Sequence, residues 1–234
     1  MTRLGTLYGV GVGPGDPELL TLRAARVLGT VRTVFTAASP KNDYSTAHDI
    51  ARPHLPEGVR TVRLDFPMTR DTTLLRAAWE ANAAAVREHL QAGDGAFLTL
   101  GDPMTYSTFG YLLRVLCEDG GERPPVDVVP GITSYQAAAA RTQTVLTESG
   151  ENLLVMSGVC DAARLRAQLD VADNAVILKA YKNFREIRET LEDLGLAEKS
   201  LFVTKVGQED ERIFRSLREA PDKPHYFSLV LVKK

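Results

Sequence analysis

The order of hydrophobic and polar positions divides the first half of the chain into short apolar runs and longer helix-like stretches. The apolar runs are rich in β-branched residues and predict strands at 7–12, 31–36, 96–100 and 126–129. The stretches between them predict helices at 17–28, 71–93 and 107–117. Because strands that alternate with helices form parallel sheets covered on both faces, this half predicts a parallel-sheet α/β domain.

Capping signals mark the start of two of these helices. Asp16 and Pro17 suit the N-cap and first-turn positions of a single helix that runs to about residue 28, and Gly29 suits its end. Asp71 suits the N-cap of the longest helix, whose apolar positions recur at helical spacing except at Asn82.

The pattern changes after the segment VVPGITS. A short alanine-rich helix around 137–140 precedes two strand-like segments, ENLLVMSG and NAVILKAY, and each of them is followed by a helix. Three strand-like runs then follow in series at 201–206, 212–217 and 226–232, which predicts an antiparallel or mixed sheet. The change places a domain boundary near Pro130, with domains at 1–130 and 131–234.

Composition narrows the setting. The 234 residues are 44% hydrophobic and 25% charged with a net charge of -2, which is typical of a soluble globular protein without nucleic-acid or membrane partners. The N-terminus lacks the apolar core of a signal peptide, and no segment has the apolar length of a membrane span. Cys117 and Cys160 predict two reduced, buried thiols and neither a disulfide nor a metal site. A cytoplasmic protein is expected.

The first strand runs into the glycine-rich segment YGVGVGPGD. A dinucleotide fingerprint fails, because G-x-G-x-x-G read from Gly9 meets Pro14, and read from Gly11 it meets Asp16. The second strand ends at 36–38 without an acidic residue for a ribose, and no Gly-Lys-Ser/Thr of a P-loop is present. A tight turn explains one or two glycines, whereas Gly-Pro-Gly favours a backbone shaped for a ligand.

Two further strand ends carry similar chemistry. The strand at 96–100 runs into Gly101-Asp102-Pro103, and the strand at 126–129 runs into Pro-Gly followed by Thr133 and Ser134. Asp102 has two open interpretations, as the cap of the next helix or as an acceptor for ligand hydroxyl or ammonium groups. Because ligands bind beyond the carboxyl ends of parallel strands, the three loops predict one cleft with many backbone donors and few charges. Such a cleft suits a nearly neutral nucleoside.

These three segments carry a family resemblance. GVGPGDPELLTLRAARVL, LTLGDPMTYSTFGYL and VVPGITSYQAAAA, in this order and at these separations, resemble the motifs of the tetrapyrrole (corrin/porphyrin) methylases, class III S-adenosylmethionine-dependent methyltransferases. The resemblance implies an N-terminal parallel-sheet domain, a C-terminal mixed-sheet domain and an active-site cleft between them. It also implies a tetrapyrrole substrate, S-adenosyl-L-homocysteine as the product of the cofactor S-adenosyl-L-methionine, and a homodimer.

The segments DFPMTRD, AAWEANAAAV and YFSLVLVKK look most like the members that methylate C20 of precorrin-2 or of cobalt-factor II in cobalamin biosynthesis. Two alternatives stay open. One is the same fold acting at another corrin or porphyrin position, for example on uroporphyrinogen III. The other is a non-catalytic protein that binds a corrinoid or S-adenosylmethionine.

The resemblance also implies site residues. The cofactor would be bound by Pro14, Gly101, Asp102, Pro103, Met104, Thr105, Thr133, Ser134, Met156 and Tyr181. The substrate carboxylates and ring would be met by Arg70, Lys41 and Tyr106. Met156 also fits a core methionine and Tyr106 a packing tyrosine. The sequence singles out no catalytic base.

Overall fold

Residues 3–38 and 45–234 are described by a computed structural model. The chain divides into two units, Met1–Thr133 and Ser134–Lys234, named unit 1 and unit 2. The sequence pattern places the boundary after Pro130.

The described part of unit 1 contains one five-stranded sheet. Its strands are β1 (Leu7–Gly11), β2 (Thr33–Ala38), β3 (Arg60–Asp65), β4 (Gly95–Thr99) and β5 (Val126–Val129). Their order across the sheet is β3-β2-β4-β1-β5, and every neighbouring pair is parallel. The predicted parallel sheet is confirmed, and all its carboxyl ends lie at one edge.

Helices cover both faces of this sheet. They are α1 (Leu22–Leu28), α2 (Thr46–Ala51), α3 (Thr72–Leu90) and α4 (Phe109–Glu118). The inner residues of α1 and α2 share a buried cluster with Val34 and Leu98, whereas those of α3 and α4 share another with Phe35 and Phe97. Since neighbouring strand residues point to opposite faces, the two helix pairs lie on opposite sides of the sheet. Burial of each fully enclosed phenylalanine contributes about 1.5–3 kcal/mol.

The first helix is shorter than the sequence predicts. Asp16 caps only a 3₁₀ turn at Pro17–Leu19, where its carboxylate accepts the N–H two residues further on at 2.9 Å. Leu20 then adopts an extended conformation, and Thr21 Oγ1 caps α1 by accepting the N–H three residues further on at 3.1 Å. The prediction of one helix from Pro17 is therefore wrong, because a second N-cap restarts the chain. Gly29 does follow the last helical residue.

Two elements, α2 and β3, were not predicted. In β3 the polar residues Thr61, Arg63 and Asp65 alternate with Val62 and Leu64, the pattern of a strand with one buried face. β3 lies at the edge of the sheet, so it carries more polar residues than the central strands. The alternation of polar and apolar residues is therefore the sequence feature that indicates this strand.

Asn82, the polar exception on α3, is only 6% exposed. The Asp65 N–H donates to Asn82 Oδ1 at 3.1 Å, and Asn82 Nδ2 donates to Asp65 O at 2.7 Å. Because Asp65 ends an edge strand, the side-chain amide supplies the hydrogen bonds that a further strand would otherwise make. Asn82 thus interrupts the apolar spacing for a structural reason.

Helices α3 and α4 pack against each other through aromatic side chains. The rings of Trp79 and Tyr111 are stacked, with centroids 4.8 Å apart and planes 3° from parallel. Tyr111 is still 43% exposed, so the stack lies at the outer end of the contact. Within the described ranges, none of the helices combines the length and the apolarity that a membrane crossing requires.

Unit 2 contains a mixed sheet. Its strands are β6 (Leu153–Ser157), β7 (Asn174–Leu178), β8 (Ser200–Thr204), β9 (Arg212–Phe214) and β10 (Ser228–Lys233), in the order β6-β7-β10-β8-β9. β6 and β7 pair in parallel, and the remaining pairs are antiparallel. Its helices are α5 (Ser134–Thr142), α6 (Ala162–Asp170) and α7 (Phe184–Asp193). The predicted mixed sheet is confirmed.

The cysteines are free but not buried as predicted. Cys117 is exposed on α4, because the inner face of that helix is taken by Leu112, Val115 and Leu116. Cys160 is half-buried after β6, where desolvation raises the pKa of its thiol.

Candidate functional site

The carboxyl ends of β1 and β4 form the topological switch point of the unit 1 sheet. From β1 the chain crosses to β2 on one side of this pair, and from β4 it crosses to β5 on the other side. In open parallel sheets a crevice forms where the connections diverge, and ligands bind there. The loops at 12–16 and 100–108 therefore flank the expected crevice.

Backbone hydrogen bonds join these two loops. The Val12 N–H donates to Thr99 O at 2.9 Å. The Gly101 N–H donates to Gly13 O at 2.7 Å, and the Gly13 N–H donates back to Gly101 O at 3.3 Å. Both glycines have positive φ, +80° and +75°, a region that glycine enters at little cost. The Gly-Pro-Gly and Gly-Asp-Pro turns are thus fixed relative to each other.

The loop after β5 touches both of the others at glycine positions. A Cβ added at Gly131 would lie 2.1 Å from Gly101 O, and a Cβ added at Gly11 would lie 2.6 Å from Gly131 N. These distances are far below carbon–oxygen and carbon–nitrogen contact, so any side chain there would push the loops apart. The sequence identifies the three loops as one site, and their backbones are in direct contact.

Asp102 links two of the loops through its carboxylate. Its Oδ1 accepts the Met104 N–H at 2.8 Å, and its Oδ2 accepts the Gly131 N–H at 3.1 Å. The helix α4 begins only at Phe109, whose N–H donates to Ser107 Oγ at 3.0 Å. Asp102 therefore does not cap that helix, and the capping interpretation is wrong. Oδ2 accepts one hydrogen bond and keeps a lone pair that a ligand can use.

The 101–106 loop exposes its side chains toward solvent at alternate positions. Met104 is 60% exposed and Tyr106 is 51% exposed, whereas Pro103 is buried. Tyr106 has φ of +50°, a strained conformation for a residue other than glycine and one that clusters at functional sites. Thr105 Oγ1 donates to Asp102 Oδ1 at 3.4 Å. The loop thus offers an apolar thioether and a phenol above a rigid backbone.

The remaining cofactor candidates of the first three motifs occupy the same edge. Pro14 is buried beside the Gly13–Gly101 bridge. Thr133 is 8% exposed, and Ser134 begins α5 immediately after it. The predicted residues of these motifs are therefore brought to one edge of the unit 1 sheet.

Of the two cationic candidates for the substrate, Arg70 lies within the described residues. Arg70 is exposed between β3 and α3, and it has no ion pair or hydrogen bond to another residue of the described chain. It follows the carboxyl end of β3, on the same edge of the sheet as the glycine loops. Lys41 lies outside the described residues.

In unit 2 the two predicted cofactor residues have different surroundings. Met156 lies on β6, is 4% exposed and belongs to the hydrophobic core, a position that fits a core methionine. Tyr181 is half-buried after β7, and its ring centroid lies 4.9 Å from that of Tyr226. Desolvation, and then Tyr226, raises the pKa of the Tyr181 phenol. Their contact with a cofactor stays a prediction.

Two lysines follow strands at this edge of unit 2, and the first, Lys179, is by its sequence position a further candidate for the substrate carboxylates. Lys179 follows β7 and Lys205 follows β8, with φ of +55° and +53°. Desolvation, and then the charge of Lys182, lowers the pKa of the Lys179 ammonium. Lys205 forms an ion pair with Asp210. Sequence position after a strand was the only signal for these residues, and it does not reveal a left-handed backbone.

The fold and the candidate site together define a class of protein. The chain is a doubly wound α/β protein whose glycine-rich loops meet at the carboxyl edge of its unit 1 sheet, joined to a mixed-sheet unit. The crevice backbone carries one carboxylate and no dinucleotide fingerprint, which favours a nucleoside ligand without a phosphate chain.

Comparison with known proteins narrows this class. The family model of the Tetrapyrrole (Corrin/Porphyrin) Methylases matches residues 6–221. The chain therefore belongs to the tetrapyrrole methylase family, as the motifs predict. A cobalt-precorrin-2 C(20)-methyltransferase of Salmonella typhimurium is 36% identical over 234 residues, which cover 98% of this chain and 97% of the relative.

Two other similar proteins add to this. A precorrin-2 C(20)-methyltransferase of Sinorhizobium sp. is 32% identical, with 98% of this chain and 95% of the relative covered. The crystal structure of a uroporphyrin-III C-methyltransferase from Thermus thermophilus, complexed with S-adenosylhomocysteine, superimposes with a TM-score of 0.70 at 26% identity. That alignment covers 98% of this chain and 92% of the other.

Proposed function

We propose that this chain methylates C20 of precorrin-2 or of its cobalt complex in cobalamin biosynthesis, with S-adenosylmethionine as the methyl donor. The observation that carries the proposal is the near full-length identity to two C20-methyltransferases. The hydrogen-bonded glycine loops at the switch point support it, because a close-packed backbone with few charges suits a nucleoside cofactor.

The loops of unit 1 suit this cofactor in shape and charge. Gly11 and Gly131 let three backbones meet without side chains between them, so we expect the backbone itself to form the binding surface. The carboxylate of Asp102 places negative charge beside a ligand that carries a sulfonium. Pro14, Gly101 and the exposed Met104 complete the proposed wall of this pocket.

The chemistry asks little of the protein besides position. When bound, S-adenosylmethionine supplies a methyl group on a positively charged sulfur, which the electron-rich C20 carbon takes up as that carbon loses a proton. Fixing two reactants in line accounts for a large part of the rate of such reactions. Asp102 accepts hydrogen bonds from two separate loops, and these bonds restrain the loops that we propose hold the cofactor.

We propose that Arg70 and Lys41 bind carboxylates of the tetrapyrrole and that Tyr106 contacts its ring. Guanidinium groups bind carboxylates through two parallel hydrogen bonds, and Arg70 has its guanidinium available at the carboxyl edge of the sheet. The exposed phenol of Tyr106 on a rigid loop offers a flat apolar surface.

The function is tested by anaerobic incubation of the protein with S-adenosylmethionine and either precorrin-2 or cobalt-precorrin-2, followed by mass spectrometry. One added methyl group at C20 of either substrate supports the proposal, and the better substrate identifies the metal state. Methylation of uroporphyrinogen III alone would assign the chain to another ring position. Binding of S-adenosylhomocysteine with no product from any tetrapyrrole would indicate a non-catalytic binding protein.

We further propose a cytoplasmic homodimer, on the resemblance to the family. Light scattering is expected to give twice the 25.6 kDa of one chain. A single-chain mass at working concentration would contradict this.

A further inference from the structure

A cavity lies at the amino ends of the strands of the unit 1 sheet, opposite the carboxyl ends that carry the glycine loops. It has a volume of about 300 Å³, which is at the lower end of small-molecule sites. Its lining residues are Arg32, Thr33, Gly58, Arg60, Glu88, His89 and Ala92. These residues lie at the starts of β2 and β3 and at the end of α3, so the length of the strands separates this cavity from the glycine loops by roughly 17 Å.

The two arginines of this cavity are held next to each other by the backbone. The Arg60 N–H donates to Arg32 O at 3.1 Å, and the Arg32 N–H donates to Asp94 O at 2.9 Å. The Arg32 stem crosses Gly93, where an added Cβ would lie 2.9 Å from Arg32 Cδ. Arg32 is therefore restrained at its backbone and along its side chain.

The guanidinium groups of both arginines are available to a ligand. Within residues 3–38 and 45–234, neither forms an ion pair or a side-chain hydrogen bond with another residue. The one acidic residue that lines the cavity is Glu88. The carboxyl end of α3 adds about half a negative elementary charge, so the two arginines still leave an excess of positive charge.

His89 adds a third polar group of defined orientation. Its Nδ1 donates to Ala85 O at 2.8 Å, since a carbonyl can only accept. Nε2 is then the ring nitrogen that remains for a ligand, and it accepts a hydrogen bond when the ring is neutral. A partly protonated phosphate satisfies both sets of groups, because it accepts from guanidinium and donates its own O–H to Nε2.

We propose that this cavity is a second binding site, distinct from the methyl-transfer site, for a small phosphate-bearing anion. Two guanidinium groups that line one cavity can supply paired donors to the oxygens of phosphate. Sulfate has a similar size and a full double negative charge, but it has no proton to donate to Nε2. The site should therefore prefer phosphate to sulfate.

The experiment measures binding of inorganic phosphate and of glycerol 3-phosphate to the full chain by calorimetry at pH 7.5 and low salt. Arg32→Gln and Arg60→Gln should each weaken binding at least about fivefold. Glu88→Gln should strengthen it, a gain that a damaged fold does not produce. Arg26→Gln is the matched control, because it removes one exposed charge of α1 away from the cavity. A stronger response to the ester than to phosphate would identify an organic phosphate as the ligand.

Each result decides the proposal. Loss in both cavity variants, with S-adenosylhomocysteine affinity and unfolding temperature unchanged, supports a separate anion site whether or not the methyl-transfer function holds. Binding that survives both substitutions, or that falls as much in Arg26→Gln, overturns it. Equal affinity for sulfate and phosphate overturns the assignment to phosphate.

Discussion

Asp102 shows how one carboxylate can serve the chain and a ligand together. The sequence places it at a strand end, and the structure shows both of its oxygens accepting backbone N–H groups of different loops. A substitution there therefore acts on the shape of the crevice as well as on any direct contact with the cofactor.

Asp102→Ala is expected to lower the free energy of unfolding by about 1–3 kcal/mol, because two N–H groups lose their acceptor. The affinity for S-adenosylhomocysteine should fall about fivefold to a hundredfold in the same variant. Urea unfolding and calorimetry measure the two effects. Asp127→Ala, which removes only an exposed ion pair with Arg23, is the control and should change stability by less than about 1 kcal/mol. Wild-type values for Asp102→Ala would mean that the linkage contributes nothing.

Arg70→Ala tests the substrate side at the same scale. The apparent KM for the tetrapyrrole should rise about five- to thirtyfold, which corresponds to the loss of about 1–2 kcal/mol from one bidentate contact. The affinity for S-adenosylhomocysteine should stay nearly unchanged, because Arg70 follows β3 and not the strands of the glycine loops. Steady-state kinetics and calorimetry provide both numbers, with Arg26→Ala as an exposed control. Normal kinetics would make Arg70 a solvated surface charge, and an equal fall in both affinities would make it structural.

At the scale of elements, α3 is tied to the end of α4 by one arginine. Arg87 Nη1 and Nη2 donate to the two oxygens of Asp119, each at 2.6 Å, and Arg87 Nε donates to Glu122 O at 2.6 Å. The side chains of the pair are only 16% and 15% exposed. The hydrogen bond from Arg87, helped by the Gly121 N–H, lowers the pKa of the Asp119 carboxyl.

Arg87→Ala should lower the free energy of unfolding at pH 7 by about 1–3 kcal/mol. Since the Asp119 pKa is lowered in the folded state, the pair stabilises above the ordinary aspartate range, and this contribution is lost as pH falls below about 4. The difference between variant and wild type should therefore shrink between pH 5 and pH 3 in urea titrations. Arg76→Ala, which breaks an exposed pair on the same helix, should leave the free energy of unfolding nearly unchanged. A difference that stays constant with pH would contradict the role of the pair.

The elements that the sequence predicts best are those with strong periodicity or clear caps. β5 and the start of α3 at Asp71 follow from a valine-rich run and from an N-cap, and both are confirmed. β3 is not predicted because its apolar content is low, and α2 is not predicted because its six residues are too few to show helical periodicity. The N-cap role of Thr21 is not predicted, because Asp16 and Thr21 are both suitable N-cap residues and only the local backbone decides between them. The buried position of Asn82 is not predicted, because its hydrogen-bond partner lies at a strand end 17 residues away.

At the scale of the whole molecule, charge limits how a polyanionic substrate is attracted. The chain carries 28 lysines and arginines against 30 acidic residues, so its net charge of -2 gives no general attraction for a carboxylate-rich ring. Binding must then depend on local cations such as Arg70, whose fields reach about one Debye length, near 10 Å at 0.1 M salt.

The apparent KM for the tetrapyrrole should accordingly rise with salt between about 0.05 and 0.5 M, whereas the affinity for S-adenosylhomocysteine should change little. Initial rates at several substrate concentrations, with calorimetry at each salt concentration, measure the two responses. The salt response should be smaller in Arg70→Ala. A substrate KM that does not depend on salt would contradict carboxylate recognition by exposed cations.

The sequence predicts the location of the site better than its construction. It identifies three loops at one sheet edge, because glycine, proline and hydroxyl residues follow three predicted strands. It does not reveal that Asp102 binds across to Gly131, since a pair 29 residues apart becomes visible only in the folded chain. The left-handed backbone of Tyr106 is equally hidden, because no glycine marks it.

The contact of three backbones at Gly11, Gly101 and Gly131 also determines where this enzyme can be redesigned. Two of these positions have no room for even a methyl group, so a library that varies 11 or 131 would consist mainly of misfolded proteins. In the proposed site, altered cofactor analogues would instead be accommodated at the exposed side chain of Met104 and altered substrates at that of Tyr106. The crevice thus separates a fixed half, made of backbone, from an adjustable half, made of two side chains.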